Sequence, residues 1–100
     1  MIHELKTCNE YYEEVFMGHK TFEVRKNDRD FQKGDTLILK EWDNFRQTFT
    51  GRKLSINVTY VFKGGKFGLE EGFVVMAIAK DTNNICVTVL SPFINLIKTK

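Results

Sequence analysis

Apolar residues recur along this chain with two different periods, and each period points to an element. Over residues 9–17, Tyr11, Tyr12, Val15 and Phe16 fall at i, i+1, i+4 and i+5 while Glu10, Glu13 and Glu14 take the other side, the spacing of an amphipathic helix. Acids near its start suit the positive end of a helix dipole, and Gly18 supplies a left-handed stop. From residue 21 the period becomes two. In residues 21–25, Phe22 and Val24 alternate with Thr21, Glu23 and Arg25, so this strand is expected to bury the first two and line up the other three on its outer face. Residues 36–42 read as a strand after a Gly34-Asp35 turn, and Leu54, Ile56, Val58, Tyr60 and Phe62 alternate without a break along the next. Residues 2–5, 72–79 and 85–90 are further short strands and residues 43–51 a loop. Ser91-Pro92 opens a short C-terminal helix that carries Phe93, Ile94 and Ile97.

Five to six short strands and one helix of about three turns predict a mainly β (α+β) fold, a small closed or nearly closed β-barrel plugged by that helix. The 100 residues fit a single domain over positions 1–100, and no repeat or linker divides them. With 42% hydrophobic and 28% charged residues the composition is that of an ordinary globular domain rather than a disordered tail. No apolar run approaches the roughly 20 residues of a membrane helix, and the first residues lack the pattern of a secretory signal, so a cytoplasmic monomer with no membrane partner is expected. Cys8 and Cys86 stand outside any C-x-x-C spacing and read as reduced thiols. His3 and His19 have no partner at ligand spacing, so neither a metal nor a cofactor is expected.

The formal net charge of +2 is too small to diagnose nucleic-acid binding, but its distribution is uneven. Residues 1–14 carry Lys6 against Glu4, Glu10, Glu13 and Glu14, a net −3. Residues 40–69 carry Lys40, Arg46, Arg52, Lys53, Lys63 and Lys66 against Glu41 and Asp43, a net +4 that suits a polyanion. The Lys63-Gly64-Gly65-Lys66 stretch lacks the length and the Lys-Ser/Thr ending of a phosphate-binding P-loop and reads as a hairpin loop whose charge can touch a nucleic-acid backbone. Most aromatics belong to the core. Phe45, Phe49 and Phe67, placed in loops, are the candidates for base stacking.

The densest chemistry lies at residues 18–25, where a glycine-ended helix delivers Lys20 to a strand carrying Glu23 and Arg25. Arg25 offers a planar fork for a phosphate or base edge, Lys20 a point charge, and Glu23 an acceptor for a base amine. The bland reading is a cross-strand ion pair on a solvated face, worth at most about 1 kcal/mol.

Gly18-x-Lys20-x-x-Glu23-x-Arg25 resembles the G-x-K-x-x-E-x-R signature of the ASCH domain family, within the PUA-like superfamily, at all four specified positions. Asn27-Asp28-Arg29-Asp30-Phe31-x-x-Gly34-Asp35 resembles the loop of a bacterial and phage ASCH-like group of undefined function, and the resemblance continues through Phe67-Gly68-Leu69-x-x-Gly72-Phe73-Val74-Val75-Met76. It implies a PUA-like barrel with a cleft between barrel and helix, lined by Lys20, Glu23 and Arg25, and the binding of RNA or a modified nucleoside. Lys26, Arg52, Lys53, Lys63 and Lys66 would then hold the nucleic-acid backbone. Some small ASCH proteins are amidohydrolases that deacetylate N4-acetylcytidine with a lysine, a threonine three positions later and a distant glutamate. Here Lys20 is retained, but Glu23 stands where the hydroxyl would be. An enzyme would have to use Thr21 as nucleophile with Lys20 as base, and Glu70 or Glu71 as the second carboxylate. A third reading is a phage-encoded protein-interaction module that meets its partner through an edge strand or the aromatic loops.

Overall fold

A computed structural model describes residues 1–80; the expected strand at 85–90 and the C-terminal helix lie outside the described residues. The chain forms β1 (Ile2–Cys8), α1 (Asn9–Phe16), β2 (Phe22–Lys26), β3 (Thr36–Asp43), β4 (Thr48–Lys63) and β5 (Phe73–Lys80). The strands make one curled half-barrel sheet in the order β1-β3-β4-β5-β2. β3, β4 and β5 are an antiparallel meander, β2 adds antiparallel to β5, and β1 adds parallel to β3.

Four strands bury alternate side chains on the concave face. These are Leu5 from β1, Leu37 and Leu39 from β3, Leu54, Ile56 and Val58 from β4, and Val74, Met76 and Ile78 from β5. Helix α1 covers them with Tyr12 and Val15, and Phe31 from the β2–β3 loop completes the core. Gly18, at φ +85°, ends the helix as expected; its N–H donates to the Val15 carbonyl.

β2 departs from the expectation. Its period is two, but its phase is reversed: Phe22 and Val24 face outward, 46% and 47% exposed, while Glu23 is only 3% exposed. A shift of one residue exchanges the two faces of a strand, so alternation alone gives the period and leaves the face open. Outward, Phe22 lies in register with Ala77 and Tyr60, and Val24 with Val75 and Phe62, an apolar stripe on the convex face. A register shift between Val58 and Tyr60 creates it: beyond the shift Val61 packs on the core, whereas Tyr60 is 60% exposed, against the unbroken alternation expected for this strand.

The expected loop at 43–51 is a tight hairpin instead. The Asp43 carboxylate accepts the Phe45 and Arg46 N–H groups at 2.9 and 3.0 Å, and Gln47 takes a left-handed φ of 57°. β4 therefore starts at Thr48 and runs for 16 residues. The Lys63-Gly64-Gly65-Lys66 loop is folded on itself: the Gly64 and Gly65 N–H groups donate to the Phe73 and Leu69 carbonyls and are unavailable to a phosphate.

Besides Glu23, two carboxylates are buried, Asp35 and Glu41. Asp35 is pushed up by burial, but the Gln32 N–H, the His3 ring and the Met1 amino group together outweigh that and hold it below its ordinary value of 3.8. Glu41 is held below its ordinary 4.5 by the Arg52 guanidinium, helped by the Thr50 hydroxyl. Both folded values lie below the unfolded ones, so their stabilising contribution is complete above the ordinary carboxylate range and is lost as pH falls through the folded values. The urea midpoint is expected to be flat from neutral pH down to about 5 and to fall steeply below about 4. In Asp35→Asn the acid slope should be shallower; an unchanged slope would exclude Asp35 as its source.

Candidate functional site

Among the described strands, β2 is the one with no apolar side chain at its inward positions, Glu23 and Arg25. A lone buried carboxylate would cost several kcal/mol, and the arrangement around Glu23 offsets this with charge-assisted bonds. Lys20 Nζ donates to Glu23 Oε2 at 2.9 Å, and Arg25 Nε donates to Oε1 at 3.0 Å. Lys20 also donates to the Phe22 carbonyl at 2.8 Å, so the turn after Gly18 folds its side chain back along β2. The three signature residues thus form one triad with a net single positive charge, on the concave face rather than the outer face.

Arg25 reaches further. Its Nη1 donates to the Lys6 carbonyl at 3.2 Å and its Nη2 to the Thr7 hydroxyl at 3.1 Å, while Arg29 Nη1 donates to the Glu4 carbonyl at 2.7 Å. Among the described residues β1 and β2 are the two edges of the sheet, so these arginines bridge the seam where a full barrel would close. Along that seam lies a cleft of about 440 Å³ lined by Lys6, Thr7, Cys8, Tyr11, Lys20, Glu23, Val24 and Arg25. Tyr11, 51% exposed, projects from α1, with Lys20 Nζ 5.9 Å from its ring centre.

The other expected site residues are dispersed. Thr21 lines a second hollow of about 310 Å³ that shares only Lys20 with the cleft. Glu70 and Glu71 are exposed in the loop before β5 and line neither space. Lys26 and Lys53 are exposed on the convex face, and Lys66 in its loop. Arg52, half-exposed, is already paired: its Nε donates to Glu41 at 2.9 Å, its Nη2 to Glu13 at 2.9 Å and to Glu41 at 3.1 Å, and its guanidinium lies over the Tyr12 and Phe16 rings. Lys63 fares differently, because the β4 register shift places it beside Val74, which in turn pairs with Arg25. Lys63, Val74 and Arg25 therefore share one concave row.

Sequence reasoning missed Thr7 and Tyr11. Thr7 is 3% exposed and continues the inward set His3, Leu5, Thr7; extending the period-two reading beyond residue 5 would have found it. The spacing of Tyr11 suggests core, but it lies at the edge of the helix face and only Tyr12 and Val15 are buried. Among the described residues no group of three or more His, Cys, Asp and Glu side chains could hold a metal ion, and no helix is long and apolar enough to cross a membrane.

Two comparisons bear on this arrangement. The chain is 47% identical over 60 residues to a protein of Escherichia phage P2 described as an uncharacterized 12.9 kDa protein in the GpA 3′ region. That match covers 60% of this chain and 53% of the phage protein, so the chain spans about half the length of the curated relative it matches. The model of a domain of unknown function, DUF3850, matches residues 2–78, which takes in every element that builds the cleft. The chain belongs to the DUF3850 family.

Proposed function

We propose that the cleft binds a nucleotide of RNA, or a modified nucleoside, as an ASCH-type PUA-like module. The observation that carries this reading is the burial of Glu23, 3% exposed, between Lys20 and Arg25 where an apolar side chain would cost less. Asp35 and Glu41 are buried as well, but of the three carboxylates Glu23 is the one that lines the cleft, together with both of its cationic partners. A carboxylate with lone pairs to spare beside an ammonium donor, 2.9 Å apart, is the complement of a base edge that presents an amine next to a carbonyl or ring nitrogen. Tyr11 offers a ring face at the mouth of the cleft, and Lys63, in the row of Arg25, offers a charge for a phosphate.

The hydrolytic alternative needs a hydroxyl nucleophile within reach of Lys20. Thr21 borders the other hollow, and the hydroxyl in the cleft, Thr7, accepts a bond from Arg25 and donates to the Leu5 carbonyl at 3.4 Å. Binding is therefore the reading we favour.

Titration of labelled single-stranded RNA tests it. Lys20→Ala and Glu23→Gln are each expected to weaken binding about tenfold or more, while Lys33→Ala, a loop change outside the cleft, leaves it within about twofold. Equal losses in all three would remove the cleft from the account. Release of acetate from N4-acetylcytidine by wild type, abolished in Lys20→Ala, would replace binding with hydrolysis.

A further inference from the structure

On the convex face, Lys6 of β1 lies directly beside Lys40 of β3, and Lys40 directly beside Lys53 of β4. Three lysines thus stand in one row across three adjacent strands, about 10 Å from end to end at the strand spacing. Like charges directly opposite each other in a sheet are destabilising, so chance packing does not favour this row. The next row holds Cys8, Trp42 and Phe49 in register. Trp42 and Phe49 meet edge to face at 5.0 Å, with Lys6 Nζ 4.4 Å from the Trp42 ring centre and Lys40 Nζ 5.0 Å from that of Phe49. Phe49 is 46% exposed, and Phe45 at the adjoining hairpin tip is 93% exposed. Of the three lysines, Lys40 has a carboxylate partner, Glu4 at 3.3 Å; among the described residues Lys53 has none. Lys6 and Cys8 also line the cleft, so the two rows begin at its rim and lead away across the sheet.

We propose that this basic and aromatic double row is the path of a single-stranded RNA backbone leaving the cleft, with Lys6, Lys40 and Lys53 meeting phosphates and Phe49 offering a stacking surface. The inference rests on the cleft reading above and deepens it: the ligand is an oligonucleotide rather than a free nucleoside. Lysines interleaved with exposed aromatics are what sequence-tolerant binding of single strands requires, since phosphates give affinity and every base has a stackable face. A protein partner of acidic surface would use the lysines but gain nothing specific from their alternation with rings.

Trp42 is the only tryptophan in the chain, so its emission reports directly on this surface. The test titrates wild type, the triple variant Lys6→Gln/Lys40→Gln/Lys53→Gln, Phe49→Leu and Lys20→Ala with an RNA of about 12 nucleotides, within the span of known single-strand sites, and with cytidine monophosphate. The RNA is expected to bind wild type at least about tenfold more tightly than the mononucleotide and to change Trp42 emission. In the triple variant RNA affinity should fall about tenfold, and the slope of log affinity against log salt should shrink by about 2, at roughly 0.7 for each phosphate no longer neutralised. Because Lys6 also lines the cleft, the mononucleotide comparison uses the double variant Lys40→Gln/Lys53→Gln, whose mononucleotide binding should be unchanged. Phe49→Leu keeps the charges and should lose affinity without altering the slope. A triple variant with wild-type RNA affinity and slope would overturn the path; if Lys20→Ala still abolished binding, the cleft reading would stand alone. RNA binding lost in the triple variant but intact in Lys20→Ala would keep the outer surface and remove the cleft. Urea midpoints of all variants separate either result from unfolding.

Discussion

Arg52→Ala is expected to lower stability by about 2 kcal/mol, a fall of roughly 10 °C in Tm for a domain of this size. The loss comes from what the arginine leaves behind. Glu41 is 6% exposed, and both its oxygens take donors from Arg52, at 2.9 and 3.1 Å; only the Thr50 hydroxyl, at 2.7 Å, would remain. An uncompensated buried carboxylate costs more than the intact pair contributes. The half-exposed guanidinium keeps the expected cost below the top of the range for buried pairs. Arg52 also joins Glu13 of α1 to Glu41 of β3, and its hydrogen bonds to these carboxylates hold its own pKa above the ordinary value. Arg52→Ala/Glu41→Gln should recover about half of the loss, because the neutral amide tolerates the site better. Thermal melts of both variants beside Lys33→Ala would decide it: a Tm for Arg52→Ala within a degree or two of that control would mean that Arg52 does not hold Glu41 in solution.

The second large effect lies in the loop before β5. A Cβ on Gly64 would sit 2.0 Å from the Glu70 carbonyl oxygen and 3.0 Å from that of Phe73, and both obstacles are backbone. Gly64→Ala must displace the 64–72 loop, including the bonds from Gly64 N–H to the Phe73 carbonyl and from Phe73 N–H to the Glu70 carbonyl. A cost of about 2 to 3 kcal/mol is expected, at the upper end of the range for overpacking. Gly65→Ala is the internal comparison. Its Cβ would meet open space, so only the left-handed φ of +101° opposes it, at about 1 kcal/mol. Chemical denaturation should therefore rank Gly64→Ala well below Gly65→Ala. The reverse order would show that conformational strain, not close approach, governs this loop.

The elements of this fold are legible in the sequence where a pattern is local. Helix α1 and its Gly18 stop follow from apolar spacing and a residue tolerant of positive φ, and Lys20, Glu23 and Arg25 do come together. What escapes a reading of the sequence depends on contacts between distant segments. The inward turn of Glu23 follows from the pairing of β2 with β5, which no property of residues 21–25 announces. The shift after Val58 is invisible in an unbroken alternation, yet it exposes Tyr60 and brings Lys63 into the row of Arg25. Arg52 reads as one more surface cation because the carboxylates that claim it lie 11 and 39 residues away in the chain. The hairpin at 44–47 carries no glycine; its turn is made by the Asp43 side chain and a left-handed Gln47.

The strand order also has a kinetic consequence. β3, β4 and β5 follow one another in sequence and pair as neighbours, so the meander can assemble through short-range closures. β1 must find β3 with each residue pairing 34 positions downstream, and β2 must reach β5 across the whole meander. The outer strands are thus the late arrivals of folding, and they carry the two walls of the cleft. The cleft comes into being only when the two ends of the sheet, drawn together by Arg25 and Arg29, meet across the seam. Local opening of this domain would begin at that same seam and dissolve the site while the meander stays folded.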